Sequence, residues 1–195
     1  MSIFLIRHGE TAFNAARILQ TPEAPLSERG VRQVERLARR LADVGITRIW
    51  SSDLARAMMT AQPLQQATGA EIVFDAELQE RNYGDVRGRP YAELGVDILD
   101  PDYEPPGGET WAQFHLRVDG LWMRVVEAVD RLPGHLAIVT HGLVCYSLAL
   151  RHLRLPQAVT HPLRWHNASL TEIDGSPPWT VRLLNCTAHL GDDER

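Results

Sequence analysis

Short apolar runs alternate along the chain with stretches whose apolar residues recur every three or four positions. Ile3–Ile6 is a continuous run bounded by polar residues, as expected of a strand covered on both faces. From Ser27 to Val44 the spacing of Val31, Val34, Leu37, Ala38, Leu41 and Val44 predicts a helix, with Ser27 as its N-cap and Gly45 as its stop. Ile46–Trp50 reads as a second strand. Asp53 is placed to cap a further helix through Leu54, Ala57, Met58, Ala61 and Leu64, bent or divided at Pro63 and ended by Gly69. Glu71–Phe74 is a third short strand. A long helix is expected from about Thr110 to Leu132, with Phe114, Val118, Leu121, Trp122, Val125 and Val129 on one side. Leu136–Val139 is a fourth strand and Leu143–Leu153 a helix. Ser169–Ile173 and Thr180–Leu184 form a final strand pair around the turn Gly175-Ser176-Pro177-Pro178.

Strands alternating with helices predict an α/β fold, a three-layer sandwich with a mostly parallel central sheet and helices on both faces. The pattern is continuous enough to expect one domain over residues 1–195, with no repeat or linker. The exception is an irregular excursion, about 75–109, rich in Gly and Pro. Excursions of that length in compact domains usually serve function, here as a cover for substrate. In such sheets ligands bind beyond the carboxyl ends of the strands.

Charge changes the picture by exclusion. The 195 residues carry a formal net charge of −5, and all 20 cationic side chains are Arg. Without Lys there is no Schiff-base or pyridoxal-phosphate chemistry and no P-loop lysine. Any phosphate must be met by guanidinium forks, backbone amides or His. The only local cluster, Arg36, Arg39 and Arg40, reads as a solvated helix face, so a nucleic-acid partner is not expected. The two cysteines, Cys145 and Cys186, lie far apart without metal-type spacing, and Cys145 reads as a small buried hydrophobe. No segment has the features of a signal peptide or membrane span, so a cytoplasmic protein with no membrane partner is expected.

Two strands end in the same chemistry. The first runs into Arg7-His8-Gly9-Glu10-Thr11 and the fourth into Thr140-His141-Gly142. Parallel strands would bring both imidazoles to one sheet edge, beside an Arg and a glycine-bared backbone. Such a group suits an anion and a nucleophile, since a neutral imidazole attacks phosphorus while Arg forks hold the charge.

Phe4-Leu5-Ile6-Arg7-His8-Gly9-Glu10-Thr11, with Asn14 beyond it, resembles the signature of the histidine phosphatase superfamily, the phosphoglycerate mutase-like family. Pro25-Leu26-Ser27-Glu28-Arg29-Gly30, Ser51-Ser52-Asp53-Leu54-Ala55-Arg56-Ala57, Leu78-Gln79-Glu80-Arg81-Asn82-Tyr83-Gly84, Pro106-Gly107-Gly108-Glu109-Thr110 and Val139-Thr140-His141-Gly142 resemble its further blocks, in the family's order. The resemblance implies a metal-independent phosphoric monoester hydrolase of the histidine acid phosphatase type, needing no cofactor. His8 would form the phosphohistidine. Arg7, Arg56 and His141 would surround the phosphoryl group, with Asn14 helping. Glu80 would be the general acid, then the base. Gln20 and Arg81 are further substrate-binding candidates. Glu109 and Asn167 are weaker ones, and Arg81, Arg87 or Arg89 either meets a second anionic group on the substrate or is a surface charge. His115 reads as packing or surface. His152, His161, His166 and His189 read as structural or exposed.

The chain departs from the family pattern in two places. Gln20-Thr21-Pro22-Glu23-Ala24-Pro25 lacks the usual Gly and Asp, and Arg87 stands where many relatives have Glu. The alternative reading is a cofactor-dependent mutase, which returns the phosphoryl group to a sugar acid. The short, acidic stretch from Asp97 to Glu109 suits a bisphosphate poorly. A non-catalytic phospho-ligand module is disfavoured by the intact set Arg7, His8, Arg56, Glu80 and His141. The expected partner is a small phosphomonoester. The sequence leaves open whether the protein is a monomer or a homodimer.

Overall fold

The computed structural model describes residues 1–156 and 164–191. Its frame is a six-stranded sheet in the order β3-β2-β4-β1-β5-β6. β1 (Ser2–Arg7), β2 (Ile46–Ser51), β3 (Glu71–Phe74) and β4 (His135–Thr140) run parallel. β5 (Leu170–Asp174) lies antiparallel on β1, and β6 (Val181–Cys186) antiparallel on β5. The sheet is therefore mixed at one side and parallel across the rest.

Alternation along the central strands divides the core in two. Ile3, Leu5, Leu136 and Ile138 face α4 (Trp111–Val129) and α5 (Gly142–Arg151). Phe4, Ile6, Ala137 and Val139 face α2 (Glu28–Leu41) and α3 (Ala55–Thr68). This is the three-layer α/β arrangement. It explains why β1 and β4 read as unbroken apolar runs, since each face has a helical layer to bury against. At roughly 25 cal/mol per Å² of buried apolar area, these two cores are the main stabilising term of the fold.

The helix ends follow local chemistry. Ser27 Oγ accepts the Gly30 N–H at 3.0 Å, and Thr110 with Gln113 forms a capping box at the start of α4. All six apolar residues expected on one side of α4 are buried. Other details differ. Val31 is exposed, and Val44 lies beyond α2, which ends at Leu41, although it still packs against the same core. Asp53 does not cap α3. Leu54 occupies that position, and the Asp53 carboxylate accepts from Gln79 Nε2 at 2.7 Å. Pro63 does not divide α3, which continues to Thr68. α1 (Ala12–Ala16) was not expected, since it buries no residue and leaves no periodicity to read. Arg39 is exposed, but Arg40 reaches Cys186 Sγ at 3.3 Å and His189 Nδ1 at 3.1 Å, so the trio is only partly a solvated face.

The excursion after β3 is irregular, with single helical turns at Ala76–Leu78, Gly84–Val86 and Tyr91–Glu93. It folds over a small cluster of Leu19, Tyr83 and Val86. Gly88 N–H donates to the Leu19 carbonyl at 2.7 Å and Leu19 N–H to the Arg89 carbonyl at 3.0 Å, tying the excursion to the segment after α1. Gly84 takes φ +51, and a Cβ there would lie 2.0 Å from the Pro106 carbonyl. Only glycine fits that crossing.

Candidate active site

β1 and β4 are neighbours with Arg7 opposite Thr140, so the next residue of each strand, His8 and His141, emerges at one edge. Their ring centroids are 5.1 Å apart. Both side chains are buried, at 1% and 0% exposure. His8 Nδ1 lies 2.7 Å from the Gly9 carbonyl oxygen. A carbonyl only accepts, so Nδ1 carries the proton and Nε2 keeps its lone pair. Desolvation holds the His8 imidazole well below its usual range, reinforced by the charges of Arg56 and Arg7 and opposed by the Gly9 hydrogen bond. The ring is thus neutral and nucleophilic at ordinary pH. Gly9 is a matter of space: a Cβ would meet the Gly30 carbonyl at 2.8 Å and Val34 Cγ2 at 2.9 Å.

The nucleophile loop is fastened from two sides. Gly9 N–H donates to Thr60 Oγ1 at 3.1 Å, and Thr60 Oγ1 donates to the Arg56 carbonyl at 2.7 Å, joining the loop to α3. Asn167 Nδ2 donates to the His8 and Gly9 carbonyls at 3.2 and 3.3 Å and to Asn14 Oδ1 at 3.1 Å. Asn167 therefore orients the loop and also lines the cleft.

Arg7 and Arg56 flank the imidazoles. Arg7 donates through one terminal nitrogen to the Trp165 carbonyl, and Arg56 to the Thr21 carbonyl at 3.1 Å. Burial lowers the Arg56 guanidinium to about 10, which leaves it charged. Among the described residues, Arg7 Nε, Arg56 Nε and His141 Nδ1 are buried without a hydrogen-bond partner. A buried polar group left so costs about 1–3 kcal/mol. A phosphoryl group with several acceptor oxygens is the kind of ligand that offsets such a cost. Ser52 Oγ holds His141 Nε2 at 2.8 Å, and burial keeps His141 neutral, well below its usual range.

Glu80 enters from the excursion. Thr140 Oγ1 donates to the Leu78 carbonyl at 2.7 Å, pinning that segment to the end of β4. Glu80 accepts the Arg81 N–H at 3.0 Å and the Leu143 N–H at 3.2 Å. Desolvation raises its carboxyl above the usual range despite those two bonds and the nearby Arg56 and Arg7 charges. It can therefore hold a proton where an ordinary Glu would not.

Arg7, Asn14, Gln20, Arg56 and Glu80 line one cleft of about 1540 Å³. The buried His8 and His141 do not themselves line it, but their chain neighbours Arg7 and Gly142 do. Gln20 accepts from Thr11 Oγ1 at 2.8 Å. Arg81 corrects the sequence expectation. It edges the cleft, but its side chain is 1% exposed and its guanidinium donates inward to the carbonyls of Glu109, Ile98 and Tyr103. It also lies 4.3 Å from the Trp111 ring centroid. Its charge pins the excursion to itself. Glu109 does not line the cleft. Burial pushes its carboxyl up, but two hydrogen bonds from Arg117 at 2.8 Å outweigh that, and it accepts the Asn82 N–H at 2.8 Å. His115 bonds Ser147 Oγ at 2.7 Å and stacks on Trp111, while also lining the cleft. His152 bonds Asp119 and His189 the Ala168 carbonyl, His166 lies at the cleft, and His161 lies outside the described residues. Cys145 is fully buried in the α4–α5 core, with its thiol pushed up by desolvation. No group of three or more His, Cys, Asp or Glu able to hold a metal occurs among the described residues.

A mixed α/β sheet with paired strand-end imidazoles, two arginines and a raised carboxyl defines a class of phosphoryl-handling proteins. The sequence model of the histidine phosphatase superfamily (branch 1) matches residues 3–187, and the chain belongs to that family. A relative from Yersinia pestis named probable phosphoglycerate mutase GpmB is 33% identical, covering 97% of this chain and 95% of that one. A putative alpha-ribazole-5'-P phosphatase from Escherichia coli superposes with a TM-score of 0.84 at 26% identity, covering 96% and 97%. A mycobacterial glucosyl-3-phosphoglycerate phosphatase does so with a TM-score of 0.76 at 28% identity, covering 89% and 90%. No helix among the described residues is long and apolar enough to cross a membrane.

Proposed function

We propose that the protein is a phosphomonoesterase working through a phosphohistidine on His8. The observation that carries this reading is the hydrogen bond from His8 Nδ1 to the Gly9 carbonyl, which leaves a neutral Nε2 among two arginines.

In the first step the Nε2 lone pair attacks phosphorus. The bond from phosphorus to the ester oxygen breaks, and that oxygen takes the proton from Glu80. The Gly9 carbonyl steadies the positive charge that the ring acquires. Arg7, Arg56 and His141, with Asn14, face the phosphoryl oxygens, where transition-state charge is spread. In the second step Glu80, now a carboxylate, takes a proton from water as that water attacks phosphorus. The phosphorus–nitrogen bond breaks, and inorganic phosphate and neutral His8 are restored. Each proton and electron pair is accounted for by these side chains alone, so the reading includes no metal or cofactor.

A mutase would return the phosphoryl group to a bound sugar acid, and the relative named as a mutase keeps this reading in view. The cleft is larger than most small-ligand sites and also carries Asp97, features that suit hydrolysis better than retention of a bisphosphate. A panel of phosphomonoesters, with 3-phosphoglycerate plus its bisphosphate included, separates the two. Release of inorganic phosphate is expected. Isomerisation of phosphoglycerate without phosphate release would establish the mutase instead.

A further inference from the structure

Arg81, Arg87 and Arg89 lie within one short stretch of the excursion, and their fates differ. Arg81 is committed to carbonyls of its own segment. Arg89 is exposed, donates to the Glu93 carbonyl at 3.1 Å and does not line the cleft. Arg87 is half-buried and lines it. Among the described residues its guanidinium makes no hydrogen bond or ion pair. Arg17 also lines the cleft, from the turn that ends α1, and its side chain too makes no hydrogen bond or ion pair among the described residues. The backbone places these two near each other. Ile18 bridges Pro90, Tyr91 N–H donates to the Arg17 carbonyl at 3.0 Å, and Gly88 N–H donates to the Leu19 carbonyl at 2.7 Å. Arg29, another cation of the cleft, is neutralised by Glu10 at 2.9 Å.

Arg87 is held firmly. It closes the turn Gly84–Val86 by donating its N–H to the Gly84 carbonyl, and Val86 before it is buried against Leu19 and Tyr83. Its charge bears on Arg56, the guanidinium beside the nucleophile. Two like charges facing one cleft repel, and an anion between them relieves that. The cleft exceeds what a phosphoryl group needs, leaving room for an organic part reaching toward Arg87.

We infer that Arg87, aided by Arg17, is a specificity-determining residue that receives a carboxylate on the organic part of the phosphomonoester. A planar carboxylate matches the guanidinium fork. It adds one negative charge, whereas a second phosphate would bring nearly two toward Asp97 in the same cleft. The favoured substrates are thus phosphorylated hydroxy acids rather than neutral sugar phosphates or alcohol phosphates. This inference rests on the phosphomonoesterase reading.

The test compares wild-type protein, Arg87→Gln and Arg87→Lys on two matched pairs: 3-phosphoglycerate against glycerol 3-phosphate, and 6-phosphogluconate against glucose 6-phosphate. Binding of the same compounds to the His8→Ala protein, with and without Arg87→Gln, is measured by calorimetry. The wild type is expected to favour the carboxylate member of at least one pair by about tenfold or more in kcat/KM, the scale of a charged hydrogen bond. Arg87→Gln should bring that ratio close to one through KM, and Arg87→Lys should restore part of it. Equal rates within both pairs, or a loss shared equally by both members, overturns the subsite while the phosphatase reading stands. If the wild type hydrolyses none of the four, calorimetry decides. A carboxylate preference that Arg87→Gln removes upholds the subsite and counts against the phosphatase reading, and no preference overturns the subsite.

Discussion

At the scale of single residues, the proposed mechanism turns on where two protons sit. His8 is held neutral and Glu80 is pushed toward its protonated form by burial. The pH dependence follows with a definite sign. Activity falls at acid pH, where His8 takes up a proton and loses its lone pair. It falls again as pH rises through the raised value of Glu80, where the acid is lost. The profile of kcat/KM for a poor leaving group should therefore be bell-shaped. Glu80→Gln should remove the alkaline limb. The same variant should slow alkyl phosphates by about 100-fold or more, within the usual range for general acid catalysis, and activated aryl phosphates far less. Equal losses on both substrate types would remove Glu80 from the acid role. The residues of the proposed mechanism could be picked out in the sequence because each sits in a compact motif at a strand end or helix start. Arg81 was misread because a sequence shows that a residue is charged but not what surrounds the charge. Its partners are carbonyls of Ile98, Tyr103 and Glu109, 17–28 positions away.

At the scale of elements, the site depends on how the irregular excursion is fastened. Glu80 is supplied by a loop, and its place is fixed by Thr140, by the Glu109–Arg117 pair and by the buried Arg81. Replacing Arg81 by Ala leaves three carbonyls without their donor. A loss of about 1–3 kcal/mol is expected, which in a protein of this size lowers Tm by several degrees, about 2–4 °C per kcal/mol. Turnover should fall alongside for every substrate, since Glu80 loses its support. A variant with unchanged Tm and altered substrate preference would return Arg81 to substrate binding. The regular elements were readable because their period reports burial, as on α4, where all six expected residues are inside. The excursion was not, because its order comes from long-range side-chain bonds that leave no period. α1 was missed for a related reason: it is five residues long and stands on the Thr11–Asn14 capping box alone.

At the scale of the whole molecule, the sheet brings distant segments into one cationic cleft without any lysine. Arg7 and Arg56 come from β1 and α3, His8 and His141 from the positions just after β1 and β4, and each is held by backbone or side-chain bonds before a ligand arrives. A tetrahedral oxyanion such as vanadate or phosphate should therefore bind the folded protein and raise Tm. At 100 times its Kd the gain is about 2.7 kcal/mol. Arg56→Ala should abolish most of that shift, and a shift equal to wild type would separate anion binding from this cleft. The central claim is tested most directly by trapping the covalent intermediate. Protein mixed with an activated aryl phosphate is quenched in alkali, which preserves phosphohistidine, and the modified peptide is identified by mass spectrometry. The label should lie on His8, accumulate in Glu80→Gln because hydrolysis has lost its base, and be absent from His8→Ala together with turnover. A label on another residue, or a His8→Ala protein that turns over like the wild type, would contradict the mechanism.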